Sequence, residues 1–412
     1  MLNLYSLWLY HTSKNNFFMS KPVYFDYAAA TPTDKRVVEV MVNCMSLEGA
    51  FANPHAKDHV YGWQAAEAVE NAREEVANLI GASPLEITFT SGATESNNLA
   101  IFGLAKGLAK KGDKRRHIIT SKIEHKAILE ACQLLEEEGY NVTYLTPDHS
   151  GVIDVETVEN SITEDTFLVS IAQANSVLGS VSDVHAIASM CHRHHVYFHT
   201  DVAQSIGYLK MDYDNSDIDM VSLTAEKVCG PKGVGALYVK RSSNIPLFAQ
   251  IYGGGQEKGL RGGTVPTHEV AGLGKAFDIL RTEGKKDKAR FEKMRARLIE
   301  GIKDVPGLVI NGTKTEGLPN ILSLSFDGID GHMLLPTLSG IAASTGSACS
   351  SASLEPSYIL KAIGHSDNLA RASIRLSFGR FTQDSEIDTV IEEITTKIPK
   401  LREAGTMWKV KQ

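Results

Sequence analysis

Three groups of residues in this chain could do chemistry. Lys227, in MVSLTAEKVCGPKGVGALYV, follows a β-rich run and precedes a glycine-rich turn. A lysine desolvated in such a place has a lowered pKa, and its amine can form a Schiff base with a carbonyl. Most lysines are solvated surface groups, so this one matters only in combination. Asp201, in VYFHTDVAQSIG, stands where another apolar run ends. Catalytic groups collect at the carboxyl ends of strands in open α/β sheets, and a carboxylate there can keep a pyridine nitrogen protonated. Read singly, it is as readily a helix cap or loop residue. Ser91-Gly92-Ala93-Thr94, in ITFTSGATESNNLA, joins a β-rich run to a helical pattern. That junction turns the backbone amides around Ala93 and the Thr94 hydroxyl toward an anion, although Ser, Thr and Gly are favoured at helix starts without any ligand.

The order of the three is informative. An anion cradle, then an acid at a strand end, then a lysine at another strand end is what a pyridoxal 5'-phosphate (PLP) site requires. The cofactor brings the electron sink, and the protein supplies phosphate grip, pyridinium partner and Schiff-base lysine.

The elements that must position these residues alternate. From Gly62 the apolar positions Val69, Ala72, Val76, Leu79 and Ile80 keep helical spacing. Seven short β-rich runs follow, at 87–90, 117–120, 142–145, 167–171, 196–200, 220–224 and 235–239, mostly separated by helix-compatible stretches. This alternation predicts an α/β fold with many parallel strands. Past about residue 280 the texture changes to a charged stretch, GKKDKARFEKMRARLIEGI, with the spacing of a long solvent-facing helix, and then to shorter strands such as 321–326. The chain therefore divides into an N-terminal extension at 1–22, expected to be disordered, a joining segment at 23–36, a large domain at 37–282 and a smaller one at 283–412.

Composition narrows the function. The 412 residues are 43% hydrophobic and 22% charged, with a formal net charge of -7 and no basic stripe or polybasic anchor. Neither a nucleic-acid nor a membrane partner is expected. The five cysteines are far apart and form no CxxC pair, so no metal site is expected and the setting reads as reducing and cytoplasmic.

The strings YFDYAAATP, SGATESNNLAI, HIITSKIEHKAIL, TDVAQSIG, GPKGVGALYVKR, GGGQEKGLRGGT, STGSACSSASLEPSYIL and SIRLSFGRFT fall in one order from Tyr24 to about Thr382. Over that span the chain resembles the group I cysteine desulfurases, PLP enzymes of fold-type I that feed iron–sulfur cluster assembly and tRNA thiolation. The resemblance implies a large domain with a mainly parallel seven-stranded sheet flanked by helices, plus a smaller α+β domain. It also implies a homodimer that takes sulfur from L-cysteine, releases L-alanine and passes the sulfur to an acceptor protein, either an iron–sulfur scaffold or a tRNA thiolation carrier.

Carried onto this chain, the resemblance assigns Lys227 to the cofactor aldehyde, Asp201 to its ring nitrogen and Gln204 to its 3-hydroxyl oxygen. His125 would stack on the ring and shuttle protons, with Ala93, Thr94 and Thr224 at the phosphate. Thr264 would reach the phosphate of the partner subunit. Arg375 would clamp the substrate carboxylate, a bidentate task suited to guanidinium, with Asn175 beside it. Cys349, in the small-residue run STGSACSSAS, reads as a thiol on a flexible loop, and the resemblance makes it the persulfide carrier.

Three features depart from the family pattern. Ser176 and Val177 in QANSVLGSV stand where an asparagine and a glutamate are usual, so Ser176 would touch the cofactor through a shorter side chain. Glu226 stands where a histidine usually donates to the phosphate, so it must turn away or weaken cofactor retention. The sequence ends at Gln412, short of the tail that engages a scaffold protein in housekeeping members. Two other readings stay open: a selenocysteine lyase or other β-eliminating PLP enzyme, and a catalytically degenerate paralogue acting as an assembly partner.

Overall fold

A computed structural model of the chain describes residues 21–209, 211–313, 317–345 and 355–410. Cys349 and nearly all of the expected N-terminal extension lie outside the described residues. After the short β1 (Val23–Tyr24), seven strands build one sheet: β2 (Ile87–Thr90), β3 (His117–Ser121), β4 (Asn141–Leu145), β5 (Thr166–Ser170), β6 (Tyr197–Asp201), β7 (Met220–Thr224) and β8 (Gly235–Val239). Their order is β2-β8-β7-β6-β5-β3-β4. β8 runs antiparallel to both its neighbours and every other pair is parallel.

Helices on both faces explain why these strands read as apolar runs without alternation. Every residue of β2, β3, β5 and β7 is buried. Ile119, Val169 and Val221 face one layer, which contains Val69, Val76, Phe277 and Leu280. Ile118, Leu168 and Met220 face the opposite layer, with Leu99, Leu104, Ile128 and Leu135. Burying each such side chain contributes roughly 2 kcal/mol, so the two-faced sheet is the main source of stability in this half.

The C-terminal half builds a second, antiparallel sheet from β9 (Leu308–Asn311), β10 (Ile321–Phe326), β12 (Ser344–Thr345) and β13 (Ser373–Ser377), in the order β12-β13-β10-β9. β11 (Ile341–Ala342) pairs in parallel with β1. The two halves share the 36-residue helix Thr267–Ile302. Its first part packs Val270, Leu273, Phe277 and Leu280 into the large core, and its later part packs Phe291, Met294, Leu298 and Ile302 under the small sheet. The charged stretch is thus helical, as its spacing predicts, but buries one stripe instead of facing solvent all round. The junction expected at 282/283 falls inside this helix, between the two packing groups.

From β1 the chain crosses directly to the large sheet. Ala28 N–H donates to Ser377 Oγ at 2.9 Å, and Thr31 N–H donates to the Glu226 carbonyl at 3.2 Å. Among the described residues, no helix is long and apolar enough to cross a membrane.

Candidate active site

The strand ends converge on a cavity of about 380 Å³, and thirteen of the residues singled out in the sequence line it: Ser91, Gly92, Ala93, Thr94, His125, Asn175, Ser176, Asp201, Gln204, Thr224, Glu226, Lys227 and Arg375. Thr264 does not. It sits exposed in the turn after Gly262, where Gly263 N–H donates to Gln256 Oε1 at 2.9 Å.

The cradle is built where β2 gives way to the helix Ala93–Lys110. Gly92 caps that helix at φ +147°, a conformation that residues with a Cβ rarely adopt, and no side chain caps the first turn. The first amides of an 18-residue helix are therefore left for a ligand anion. Gly235 is required beside it, because a Cβ there would lie 2.7 Å from Gly92 Cα.

Asp201, at the end of β6, is gripped on both oxygens: Asn97 Nδ2 donates to Oδ2 at 2.8 Å and Ala203 N–H to Oδ1 at 2.9 Å. Two residues earlier, His199 is sealed in the sheet between Ser170 Oγ (2.8 Å from Nδ1) and Ser222 Oγ (2.9 Å from Nε2). Burial pushes its pKa down to about 4, against the pull of the Asp201 charge. His199 is thus a neutral cross-strand bolt at pH 7, not an acid or base.

Lys227 follows β7. Its Nζ donates to the Ala29 carbonyl at 2.6 Å and pairs with Glu226 Oε1 at 3.1 Å. Glu226 therefore does not turn away: it lines the cavity with its carboxylate on the lysine. Gln204 Nε2 donates to the Ala28 carbonyl at 2.9 Å. His125 is the N-cap of the helix Lys126–Glu137, and its Nδ1 accepts from Ala127 N–H at 3.1 Å. That contact fixes the tautomer, so the proton of the neutral ring sits on Nε2.

The Asn175 amide is largely committed to its own turn. Oδ1 accepts from Val177 and Leu178 N–H, both at 2.9 Å, and Nδ2 donates to the Ile123 carbonyl at 2.8 Å, which leaves one amide hydrogen for a ligand. Ser176 presents its carbonyl to Arg375 Nη1 at 3.1 Å. Val177 packs with Ile123, Ile359 and Leu360, so apolar contact with the segment after the Cys349 run replaces the usual carboxylate.

Sequence reading passed over Asp26, Asn97, Glu124 and His199. A histidine inside an apolar strand, and an asparagine one helical turn beyond the cradle, were the available signals. Glu124 is buried, with Ser121 Oγ donating to it at 2.6 Å and Ala172 N–H at 3.1 Å, and burial raises its pKa to about 7 despite those bonds. None of the four described cysteines lines the cavity, and all four are buried. Burial lifts the Cys229 thiol to about 11 and those of Cys132 and Cys191 to about 12.

The class-V aminotransferase family model matches residues 23–390. The chain belongs to this family of pyridoxal-phosphate enzymes. Within it, similarity to cysteine desulfurases runs nearly end to end: proteins named cysteine desulfurase IscS from Pectobacterium atrosepticum and Vibrio vulnificus are each 48% identical, over 392 and 390 residues, covering 95% of this chain and 96% of their own. Among solved structures, a NifS-like protein superposes with a TM-score of 0.85 at 35% identity, covering 92% of this chain and 100% of its own. SspA in complex with cysteine superposes at 0.77 with 41% identity, covering 87% and 99%. The residues present fit the cofactor: an uncapped helix start for a phosphate, a clamped carboxylate for a ring nitrogen, and an amine on the wall of the same cavity.

Proposed function

We infer that this chain is a PLP-dependent cysteine desulfurase that converts L-cysteine to L-alanine and keeps the sulfur as a persulfide on Cys349. The observation that carries this reading is the meeting, in one cavity, of the 92–94 cradle, Asp201, Lys227 and Arg375. When bound, PLP supplies the electron sink that acidifies the substrate α-proton and weakens the bond between Cβ and sulfur.

The chain's own residues do the rest. The amides after Gly92, with Thr94 and Thr224, would hold the phosphate, and Asp201, fixed by Asn97 and Ala203, would accept from the ring N–H. Lys227 would hold the cofactor through Nζ, and the same atom would take the substrate α-proton. Arg375 binds the substrate carboxylate, and His125 Nε2 moves the thiol protons. The Cys349 thiolate attacks the substrate sulfur. The S–S bond forms as the bond from Cβ to sulfur breaks, a proton is delivered to Cβ, and the sum is two thiols giving one persulfide and alanine. The four described cysteines support this choice of carrier, since each is buried away from the cavity.

The working unit is a homodimer in the cytoplasm, delivering sulfur to an iron–sulfur scaffold or a tRNA thiolation protein. The pairing is supported by the exposed apolar residues Val38, Val42, Met45, Leu47, Phe51 and Trp63 and by the outward Thr264 turn. Size-exclusion light scattering tests the pairing, and a monomer with full activity refutes it. L-Alanine and sulfide released from L-cysteine with a reductant test the reaction. Wild type should yield both and Lys227→Ala neither; product from the lysine variant at the wild-type rate would sink the reading, and release of selenide alone from selenocysteine would replace it with a lyase.

A further inference from the structure

Arg375 is almost wholly enclosed, its side chain 4% exposed. Nη2 donates to Asp26 Oδ1 at 2.7 Å and Nη1 to the Ser176 carbonyl at 3.1 Å, while Nε is buried without a partner. A guanidinium has five donors in one plane. Two are thus engaged, and one remains on each of the three nitrogens for a ligand. Arg375 lines the cavity, whereas Asp26 does not, so Asp26 grips the guanidinium from behind.

Asp26 is itself well anchored. Its backbone bridges in parallel to Ser377 on β13, the strand that carries Arg375. Ser377 N–H donates to the Phe25 carbonyl at 2.8 Å, and Tyr27 N–H to the Ser377 carbonyl at 3.3 Å. The two charged residues therefore ride on paired backbone, and their relative position is set before substrate arrives.

We propose that Asp26 is a positioning residue for substrate-carboxylate recognition, holding the Arg375 fork in the plane that an amino-acid carboxylate must meet. The proposal rests on the reading of Arg375 as the carboxylate clamp. A free arginine would lose rotamer entropy each time substrate bound, and a preset one does not. The Asp26 charge also repels the incoming carboxylate. It lies on the far side of the guanidinium, so attraction at contact distance outweighs repulsion across the longer one.

The test compares L-cysteine with cysteamine, which has the same amine and thiol but no carboxylate, on PLP-loaded Asp26→Ala, Asp26→Asn and Arg375→Gln. In Asp26→Ala the KM for L-cysteine should rise about tenfold, the range of a lost hydrogen bond to a charged group, with kcat little changed. The inhibition constant of cysteamine should stay at its wild-type value. Asp26→Asn, whose amide oxygen still accepts from Nη2, should recover most of the loss. Asp26→Ser, too short to reach Nη2, replaces the alanine variant if that fails to fold. An unchanged KM in Asp26→Ala, an equal weakening of cysteamine, or an asparagine variant no better than alanine overturns the proposal. Arg375→Gln separates the failures: an unchanged KM there refutes the clamp itself, and a raised KM there with none in Asp26→Ala refutes only the part played by Asp26.

Discussion

Glu226 is the residue that most changes the electrostatics of the cavity. Its carboxylate pairs with Lys227 in the cavity that also holds the phosphate cradle, so a bound phosphate would share one cavity with a like charge, and the pair must part before the amine can react. At an effective dielectric near 20 such a repulsion is on the order of a few kcal/mol, reduced here because the Glu226 side chain is one-third exposed. Glu226→Gln should therefore bind PLP roughly tenfold more tightly, read from the near-visible absorbance of resolved protein titrated with cofactor; equal or weaker binding would show that Glu226 does not compete. Glu124 sets a second expectation. Its folded pKa is raised to about 7 from an ordinary 4.5, so its contribution to stability is fully present below about pH 4.5 and is lost as pH rises toward 7. Glu124→Gln stays neutral throughout. Its melting temperature relative to wild type should climb across pH 4.5 to 7, by up to about 3 kcal/mol in stability, whereas a difference flat with pH would refute the raised pKa. His199, depressed to about 4, loses stability as pH falls from 6.5, but this is common to both proteins and cancels.

At the scale of elements, the turn that presents Thr264 is tied to the cradle through a buried ion pair. Glu257 accepts from Arg73 Nη1 and Nη2, both at 2.8 Å, and from Phe89 N–H on β2 at 2.8 Å. Arg73 lies over the Phe89 ring, 4.5 Å from its centroid, and Arg261, four residues past Glu257, pairs with Glu95 in the first turn of the cradle helix. Removing one partner of such a pair strands the other charge in the interior. Glu257→Ala should lower stability by about 3 to 5 kcal/mol in urea unfolding, and a loss under about 1 kcal/mol would mean that Arg73 finds another partner or water. The joining segment 23–36 works similarly for the lysine: Ala29 and Ala28 offer carbonyls to Lys227 and Gln204, and Asp26 engages Arg375. Three cavity side chains on three elements are thus referred to one stretch of chain.

For the whole molecule, the large domain was readable because its strands are buried on both faces and so appear as unbroken apolar runs: 87–90, 220–224 and 235–239 fall on β2, β7 and β8 to the residue. The cavity was readable because PLP chemistry demands few residue types, each at a strand end. Contacts distant in sequence were not. Nothing in YFDYAAATP states that Asp26 meets Arg375, since the pair depends on residues 25–27, just past β1, bridging to Ser377 at the end of β13. Nor does EHKAIL reveal that Glu124 is sealed against Ala172. The buried stripe on Thr267–Ile302 was hidden by its charged neighbours, because long Lys and Arg side chains cover an apolar face without erasing its spacing.

The most direct test is mass spectrometry of the peptide containing Cys349 after the PLP-loaded protein reacts with L-cysteine labelled with heavy sulfur, without reductant. That peptide should gain one labelled sulfur atom, in step with the L-alanine formed, and Lys227→Ala should gain none. Label on a peptide carrying Cys44, Cys132, Cys191 or Cys229 instead, or alanine formed with no labelled peptide, would contradict the transfer of sulfur to Cys349.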